Sequence, residues 1–423
     1  MKLDRSIIPQ ISLPKNLELP TITTTKSKNG ITLYSMSPSV IDVVRLSLVF
    51  NAGSRHQDHP FTASATLNLL SEGSQNLSSS EIAEKLDFYG IYYDASCDRD
   101  SAMVTITCLE KFLPETLNLL QECVVRPTFN DHELDIYKTK RKQQLSIERE
   151  KPAYIAREKF AQVLFGKDHP YGTCSAAVEY DTLTRDHLVG FHSRFLNAQN
   201  CFAVASGKIS QQTAESIIAF LETLPQGEFS PFEGLFPEPQ SSEPVSVKRD
   251  AAVQTSLRMG KLLFTKAHPD FVDMKVVAMI LGGYFGSRLM QNIREERGYT
   301  YGIYSAIVSL EHSGYFAIAT DISTEALEDT LVQIRYELTK MATEQMPAEE
   351  LNEVKNMILG ELMRILDGPF GVTDVVIENI QSGMDAGYLD EFLQCVQSVT
   401  PERVSELVAK YLDPDSLTYV TVG

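Results

Sequence analysis

Tryptophan is absent from this chain of 423 residues, and histidine and cysteine are sparse, at eight and six. The cysteines, at 97, 108, 123, 174, 201 and 395, form no C-x-x-C pair. That excludes zinc-finger spacing and a dense disulfide framework, and leaves reduced, buried thiols as the expectation. No apolar run reaches the roughly eighteen residues that a membrane-spanning helix needs. The first twenty residues, MKLDRSIIPQISLPKNLELP, place acidic and proline residues where a secretory signal would keep an apolar core. A cytoplasmic location without a membrane partner is therefore expected. Positive charge is short as well: 38 Lys and Arg against 56 Asp and Glu give a net charge of −18, so nucleic acid and acidic membranes would repel the chain as a whole. The length calls for more than one core.

An internal repeat organises the chain. Residues 184–207, TRDHLVGFHSRFLNAQNCFAVASG, align without a gap on 400–423, TPERVSELVAKYLDPDSLTYVTVG, pairing Phe195 with Tyr411 at an offset of 216. Tyr89-Gly90-Ile91-Tyr92 matches Tyr301-Gly302-Ile303-Tyr304 at 212, and Glu133-Leu134 matches Glu350-Leu351 at the head of two long helices. So long a period marks a duplicated domain rather than an array of short repeats. Between the copies, 227–250 holds four prolines with clustered Ser and Glu, a composition that sustains neither a helix nor a central strand. The expected organisation is a domain at 1–226, a linker at 227–250 and a second domain at 251–423. Each half opens with strands (31–36 and 43–51, then 252–264) and continues through helices, which predicts an α+β class with helices on one face of a mainly antiparallel sheet.

The most specific stretch is 282–306, GGYFGSRLMQNIREERGYTYGIYSA. Ser287 suits an N-cap, Leu289, Met290 and Ile293 supply an apolar stripe, and Gly298 suits the left-handed residue that ends a helix. A strand over 299–307 should follow, with Tyr299, Tyr301, Ile303 and Ser305 on one face. Arg294 and Tyr301 then meet near the helix–strand corner. The plain alternative is an exposed Arg294 paired with Glu295 or Glu296 and a Tyr301 packed in the sheet. GGYFG has neither the spacing nor the Lys of a phosphate loop, and its glycines suit close approach of a bound chain or a neighbouring domain.

With its G-S-R-L start and R-E-E-R-G-Y-T-Y-G run, this segment resembles the C-terminal half of the pitrilysin and insulinase class of zinc metallopeptidases, the inverted zincins. The resemblance implies two α/β rolls in one chain and gives Arg294 and Tyr301 the role of holding the substrate backbone beside zinc. Guanidinium and phenol are both donors and can clamp peptide carbonyls and stabilise a developing oxyanion. Active members carry H-x-x-E-H on a helix of the first half, two His binding zinc and the Glu activating water. Here the sequence after Gly53-Ser54-Arg55 is HQDHPFTASATLNLLSEGS, and the three positions become Ser64, Leu67 and Asn68. The later glutamate ligand falls at Gln143 or Gln144. A hydroxyl, neutral amides and an aliphatic chain are poor zinc ligands beside imidazole, so neither a metal nor a cofactor is expected in this chain. The pairs His56/His59 and His187/His192 lack i, i+4 spacing, and the first pair reads as surface residues of a loop. The basic run Lys138-Thr139-Lys140-Arg141-Lys142 reads as a solvated face, or else as a positive wall toward an acidic partner.

These features imply a zinc-free, proteolytically inactive subunit that holds extended peptide for a homologous, H-x-x-E-H-bearing partner in a heterodimer. Two other readings remain at this level: a non-catalytic scaffold, and a homodimeric peptide-binding protein or holdase of the same fold.

Overall fold

The computed structural model describes residues 21–37, 41–228, 243–249, 252–385 and 388–423. Most of the 227–250 linker lies outside them. Six strands build the first sheet: β1 (Thr23–Lys26), β2 (Thr32–Met36), β3 (Val43–Phe50), β4 (Tyr92–Cys97), β5 (Ala102–Leu109) and β6 (Cys201–Gly207), in the order β1-β2-β6-β3-β5-β4. The second sheet runs β7-β11-β8-β10-β9, from β7 (Val245–Val247), β8 (Gln254–Leu263), β9 (Thr300–Ser309), β10 (Gly314–Ser323) and β11 (Thr418–Val422). Pairing is antiparallel except for β2 with β6 and β7 with β11. The linker thus contributes an edge strand, β7, and no central one.

The helices of the first half are α1 (Thr62–Leu69), α2 (Ser79–Tyr89), α3 (Leu113–Val125), α4 (Asp131–Glu148), α5 (Pro152–Phe165), α6 (Arg185–Phe195) and α7 (Gln211–Leu221). Those of the second are α8 (Phe271–Ala278), α9 (Leu327–Thr343), α10 (Ala348–Leu366), α11 (Pro369–Gln381), α12 (Tyr388–Ser398) and α13 (Pro401–Tyr411). Two of the sequence matches are matches of structure: α6 and β6 recur as α13 and β11, and α4 recurs as α10. The third is not. Gly90 ends α2 at φ +63°, whereas Gly302 lies inside β9, and the glycine that ends the corresponding helix is Gly298, at φ +68°. Tyr-Gly-Ile-Tyr therefore recurs as letters without recurring as geometry.

Each sheet buries one face against helices of its own half, giving two large apolar cores. The opposite faces are covered by exchange. Phe160, Leu164 and Phe165 of α5 pack on Val420, Val422 and Tyr315 of the second sheet. Reciprocally, Val372, Val376 and Ile377 of α11 pack on Met36, Val49 and Val204 of the first. An ionic cluster reinforces the junction. The Arg55 guanidinium, whose side chain is 1% exposed, lies 3.1 Å from Asp100 and 2.6 Å from Glu311 of the β9–β10 turn. The Glu311 backbone N–H and the Tyr171 hydroxyl both donate to Asp100. Separating the halves would break the Arg55–Glu311 pair and the Glu311 N–H bond to Asp100.

Candidate functional site

The Gly282–Ala306 segment forms a helix–strand corner. α8 runs into a π turn at Met279–Gly283, the chain turns, and a second helix, also wound with π geometry over Met290–Glu296, leads to β9. Leu289, Met290 and Ile293 are all buried, as the apolar stripe predicts. Ser287 stands at the helix start, its carbonyl accepting from the Gln291 N–H at 2.9 Å, but its hydroxyl is buried without a hydrogen bond and caps nothing. Gly282 is required by close approach: a Cβ there would lie 2.7 Å from the Ser305 nitrogen. The approach is thus to β9 of the same half, and not to a bound chain or the neighbouring domain.

Three arginines on this helix have different surroundings. Arg288 makes a two-pronged bond to Glu350 of α10 at 2.7 and 2.9 Å. Arg297 bonds Asn292 and faces Asp329 of α9 at 3.4 Å. Both clamp the helix onto its own half. Arg294 has no such anchor; it pairs with the adjacent Glu295 and lies over the exposed ring of Phe285, 4.4 Å from its centroid. The Arg294–Glu295 half of the plain alternative is therefore present.

Its Tyr301 half is not. Tyr301 is 91% exposed, and its hydroxyl makes no hydrogen bond among the described residues. A shared face for Tyr301, Ile303 and Ser305 is also wrong, because β9 carries a bulge. Ile303 pairs with Thr320 and Thr300 with Ile322, so Tyr301 and Gly302 together oppose the single residue Asp321. The extra residue reverses the alternation. Ile303 and Ser305 are buried while Tyr301 turns to solvent. Two threonines stabilise the bulge: the Gly302 N–H donates to the Thr300 hydroxyl at 3.0 Å, and the Thr320 hydroxyl donates to the Gly302 carbonyl at 2.9 Å. No hydrogen bond joins Arg294 to Tyr301. They flank one corner beside β9, the strand that ends the second sheet; Tyr301 faces solvent, while the Arg294 side chain is 29% exposed and bonded to Glu295.

In the first half, the substituted motif positions line α1. Leu67 is fully buried in the core. The Ser64 hydroxyl donates to the Phe61 carbonyl at 3.0 Å, and the Asn68 amide donates to the Ser64 carbonyl at 2.8 Å. Across from them, Arg141 of α4 donates to the Asn68 side-chain oxygen at 2.9 Å and to that of Gln144 at 3.0 Å. A guanidinium thus ties together the positions that the resemblance assigns to a metal, leaving Gln143 exposed and apart. These residues do not fit zinc: they supply neutral oxygens already bonded to a cation, where the metal needs imidazole or carboxylate. Among the described residues, no group of three or more His, Cys, Asp or Glu is placed to hold a metal.

Histidines and lysines expected at the surface are engaged. His56 is buried in the Ser54–His56 turn, bonded to Asn51 at 3.0 Å, so it is not a surface loop residue. Its burial, with Arg55 alongside, lowers its pKa to about 4. The half-buried His59 stacks on His187 at 4.4 Å, and its Nε2 lies 2.9 Å from the Thr182 hydroxyl. In the basic run, Lys138 donates to the Leu183 carbonyl at 3.0 Å and Lys142 pairs with Asp181 at 2.6 Å. Thr139 and Lys140 fit a solvated face, whereas Lys138, Arg141 and Lys142 hold α4 against its neighbours. The six cysteines are free thiols, and no described helix is long and apolar enough to cross a membrane.

Two family descriptions match the chain: Insulinase (Peptidase family M16) over residues 34–169, and Peptidase M16 inactive domain over residues 182–358. An uncharacterized zinc protease of Rickettsia felis is 24% identical over 349 residues, spanning 80% of this chain and 82% of that protein. The non-peptidase homolog YmxG of Helicobacter pylori is 23% identical over 388 residues, 89% and 88% of the two chains. Among solved structures, the peptidase M16 inactive domain from Pseudomonas fluorescens superposes with a TM-score of 0.88 at 25% identity, over 95% of this chain and 98% of that one. A protease from Helicobacter pylori shares the fold at a TM-score of 0.85 and 17% identity, over 96% and 100% of the two chains. The chain belongs to the peptidase M16, or insulinase, family and is an inactive homologue within it.

Proposed function

We propose that this chain is a zinc-free, non-peptidase subunit that holds an extended peptide for a homologous partner bearing H-x-x-E-H. The observation that carries this reading is Tyr301. A bulge braced by two threonine hydroxyls turns a large aromatic side chain into solvent, where it packs on nothing and its hydroxyl is free. A tyrosine kept only for the scaffold would be buried in the sheet. Beside it, Arg294 offers guanidinium donors and Phe285 an exposed ring. The edge of β9 supplies main-chain groups for pairing with an added strand. Together these can fix the backbone of a peptide and present its carbonyls to donors. The partner supplies the Lewis acid and general base; this chain supplies orientation and oxyanion donors.

Purification of the native complex, with metal and subunit analysis, tests this reading. We expect a co-eluting homologue that contains H-x-x-E-H and the zinc. Chelator-sensitive peptide cleavage by this chain alone, or a full equivalent of tightly held zinc in it, would overturn the proposal. Recovery as a homodimer that binds peptide without cleaving it would favour the holdase reading instead.

A further inference from the structure

The register of β9, β10 and β8 sets out the face of the second sheet that is turned away from its own helices. One row across this face is Tyr304, Ala319 and Arg258, and the next is Ala306, Ala317 and Gly260; on the other side, Asp321 opposes the bulge at Tyr301 and Gly302. α5 of the first half covers β11 and extends as far as Leu262 and Ala317. Toward β9 the cover stops: Ala306 and Asp321 are exposed, and Tyr304 is 58% exposed. What remains is a trough floored by alanines, with Tyr304 and Tyr301 along β9 and Arg258 and α5 opposite. Tyr304 folds over Gly302, where a Cβ would lie 2.7 Å from the Tyr304 hydroxyl oxygen, and so joins the trough to the Tyr301 corner.

This trough carries excess positive charge in a chain of net charge −18. Arg258 is half-buried, donates to the Leu257 carbonyl at 3.0 Å and makes no ion pair among the described residues. Burial lowers its pKa; Asp321 on the next strand opposes that, and Arg157 of α5 adds to it. Arg157 is exposed, lies 4.9 Å from the centroid of the Tyr154 ring, and also makes no ion pair among the described residues. Glu158, the acid of α5, is paired with Arg149, and Glu150 just before the helix with Arg249. Two guanidinium groups therefore stand against one carboxylate, that of Asp321. A half-buried guanidinium without a counter-ion, beside a narrow apolar floor, is completed by a carboxylate whose stem lies on that floor. We propose that the trough takes a glutamate side chain of the extended peptide held at Tyr301, its carboxylate on Arg258 with Arg157 beside it and its stem against Ala319 and Tyr304. The inference rests on peptide holding and gives it a substrate class, peptides with an acidic residue near the held carbonyls. The reach is suitable: strands lie about 4.8 Å apart, so β8 and β9 are separated by about 10 Å, a gap that extended arginine and glutamate side chains close from opposite sides.

Fluorescence anisotropy of the full chain with labelled, alanine-rich dodecapeptides carrying Glu, Gln or Lys at one central position tests the proposal. The Glu peptide is expected to bind about tenfold tighter than the Gln peptide, and the Lys peptide more weakly than both, with a preference that shrinks as salt is raised. Arg258→Met, which keeps the stem and removes the charge, should bring the Glu and Gln peptides to equal affinity. Should Arg258→Met not fold, Arg157→Gln on the exposed side of α5 is expected to cut the preference about threefold. Tyr301→Ala should weaken all three peptides alike and keep their order. Equal affinity of the native chain for the Glu and Gln peptides, or a preference undiminished in both arginine variants, overturns the inference and leaves peptide holding intact. Failure of the native chain to bind any of the three overturns peptide holding by this chain, and the inference with it.

Discussion

Each half of this duplicated chain carries one candidate site, and the two have been put to opposite ends. In the first half, α1 and α4 face one another across Ser64, Asn68 and Gln144, and every polar atom named there is bonded within the protein, with the Arg141 guanidinium as the central cation. In the second, Arg288 and Arg297 clamp the helix while Arg294, Phe285 and Tyr301 are left outward. In the first half a side-chain cation fills the space between α1 and α4, whereas the donors beside β9 are less engaged. A buried polar position must find partners, because leaving it unpaired costs about 1–3 kcal/mol for each group. Tyr301, 91% exposed, is under no such pressure.

That contrast can be broken experimentally, most forcefully at Leu67. Leu67→Glu places a carboxylate in the core and should cost about 4 kcal/mol, read from urea unfolding. Combining it with Ser64→His and Asn68→His should still bind little zinc until Arg141→Ala removes the competing cation, as equilibrium dialysis would show. The halves should also separate in acid. His56 titrates near 6.5 when unfolded and about 4 when folded, so the unfolded state binds the extra proton between those values. The stability lost as pH falls from 6.5 to 4 is about 3 kcal/mol, and His56→Gln should flatten that slope.

Asp270 behaves in the opposite range. Despite its own burial, bonds from Tyr411, Lys410 and Arg403 lower its pKa from 3.8 to about 2. Its contribution, about 2 kcal/mol, is therefore present above pH 3.8 and lost only as pH falls toward 2. Acid titration followed by probes in each half should find the first half loosening earlier, and His56→Gln should erase the difference. A smaller effect is expected from Arg141→Leu, about 1 kcal/mol from unpaired Asn68 and Gln144 oxygens. Smallest of all on stability, Arg294→Ala and Tyr301→Phe should stay within about 0.5 kcal/mol. With a zinc-bearing partner they should nonetheless lower turnover by about a hundredfold; unchanged kinetics would make the corner structural.

Much of this was legible in the residues. The offset of 216 is an offset of whole elements, α6 and β6 onto α13 and β11, because amphipathic periodicity and strand composition survive duplication. The apolar stripe at Leu289, Met290 and Ile293 and the helix stop at Gly298 are local features and fell where periodicity put them. Errors arose where a local signal was overruled from a distance. The Tyr-Gly-Ile-Tyr repeat is coincidental in structure, since one copy ends a helix and the other spans a bulge. Tyr301 was assigned the face of Ile303 because alternation assumes an unbroken ladder. His56 was placed at the surface because its loop is polar, while Asn51 and Phe195 enclose it.

Sequence by itself determined the duplication, the two sheets and their main helices. Those properties rest on side-chain chemistry and on periods of two or about four residues, which a chain carries wherever it goes. Tertiary structure alone decided that α5 and α11 would cover each other's sheets, that Arg141 would hold Asn68, and that Tyr301 would face solvent. Each depends on a partner tens to hundreds of positions away. A hydrogen bond from Thr320 to Gly302, or a guanidinium between two helices, forms only when the fold has brought both ends together.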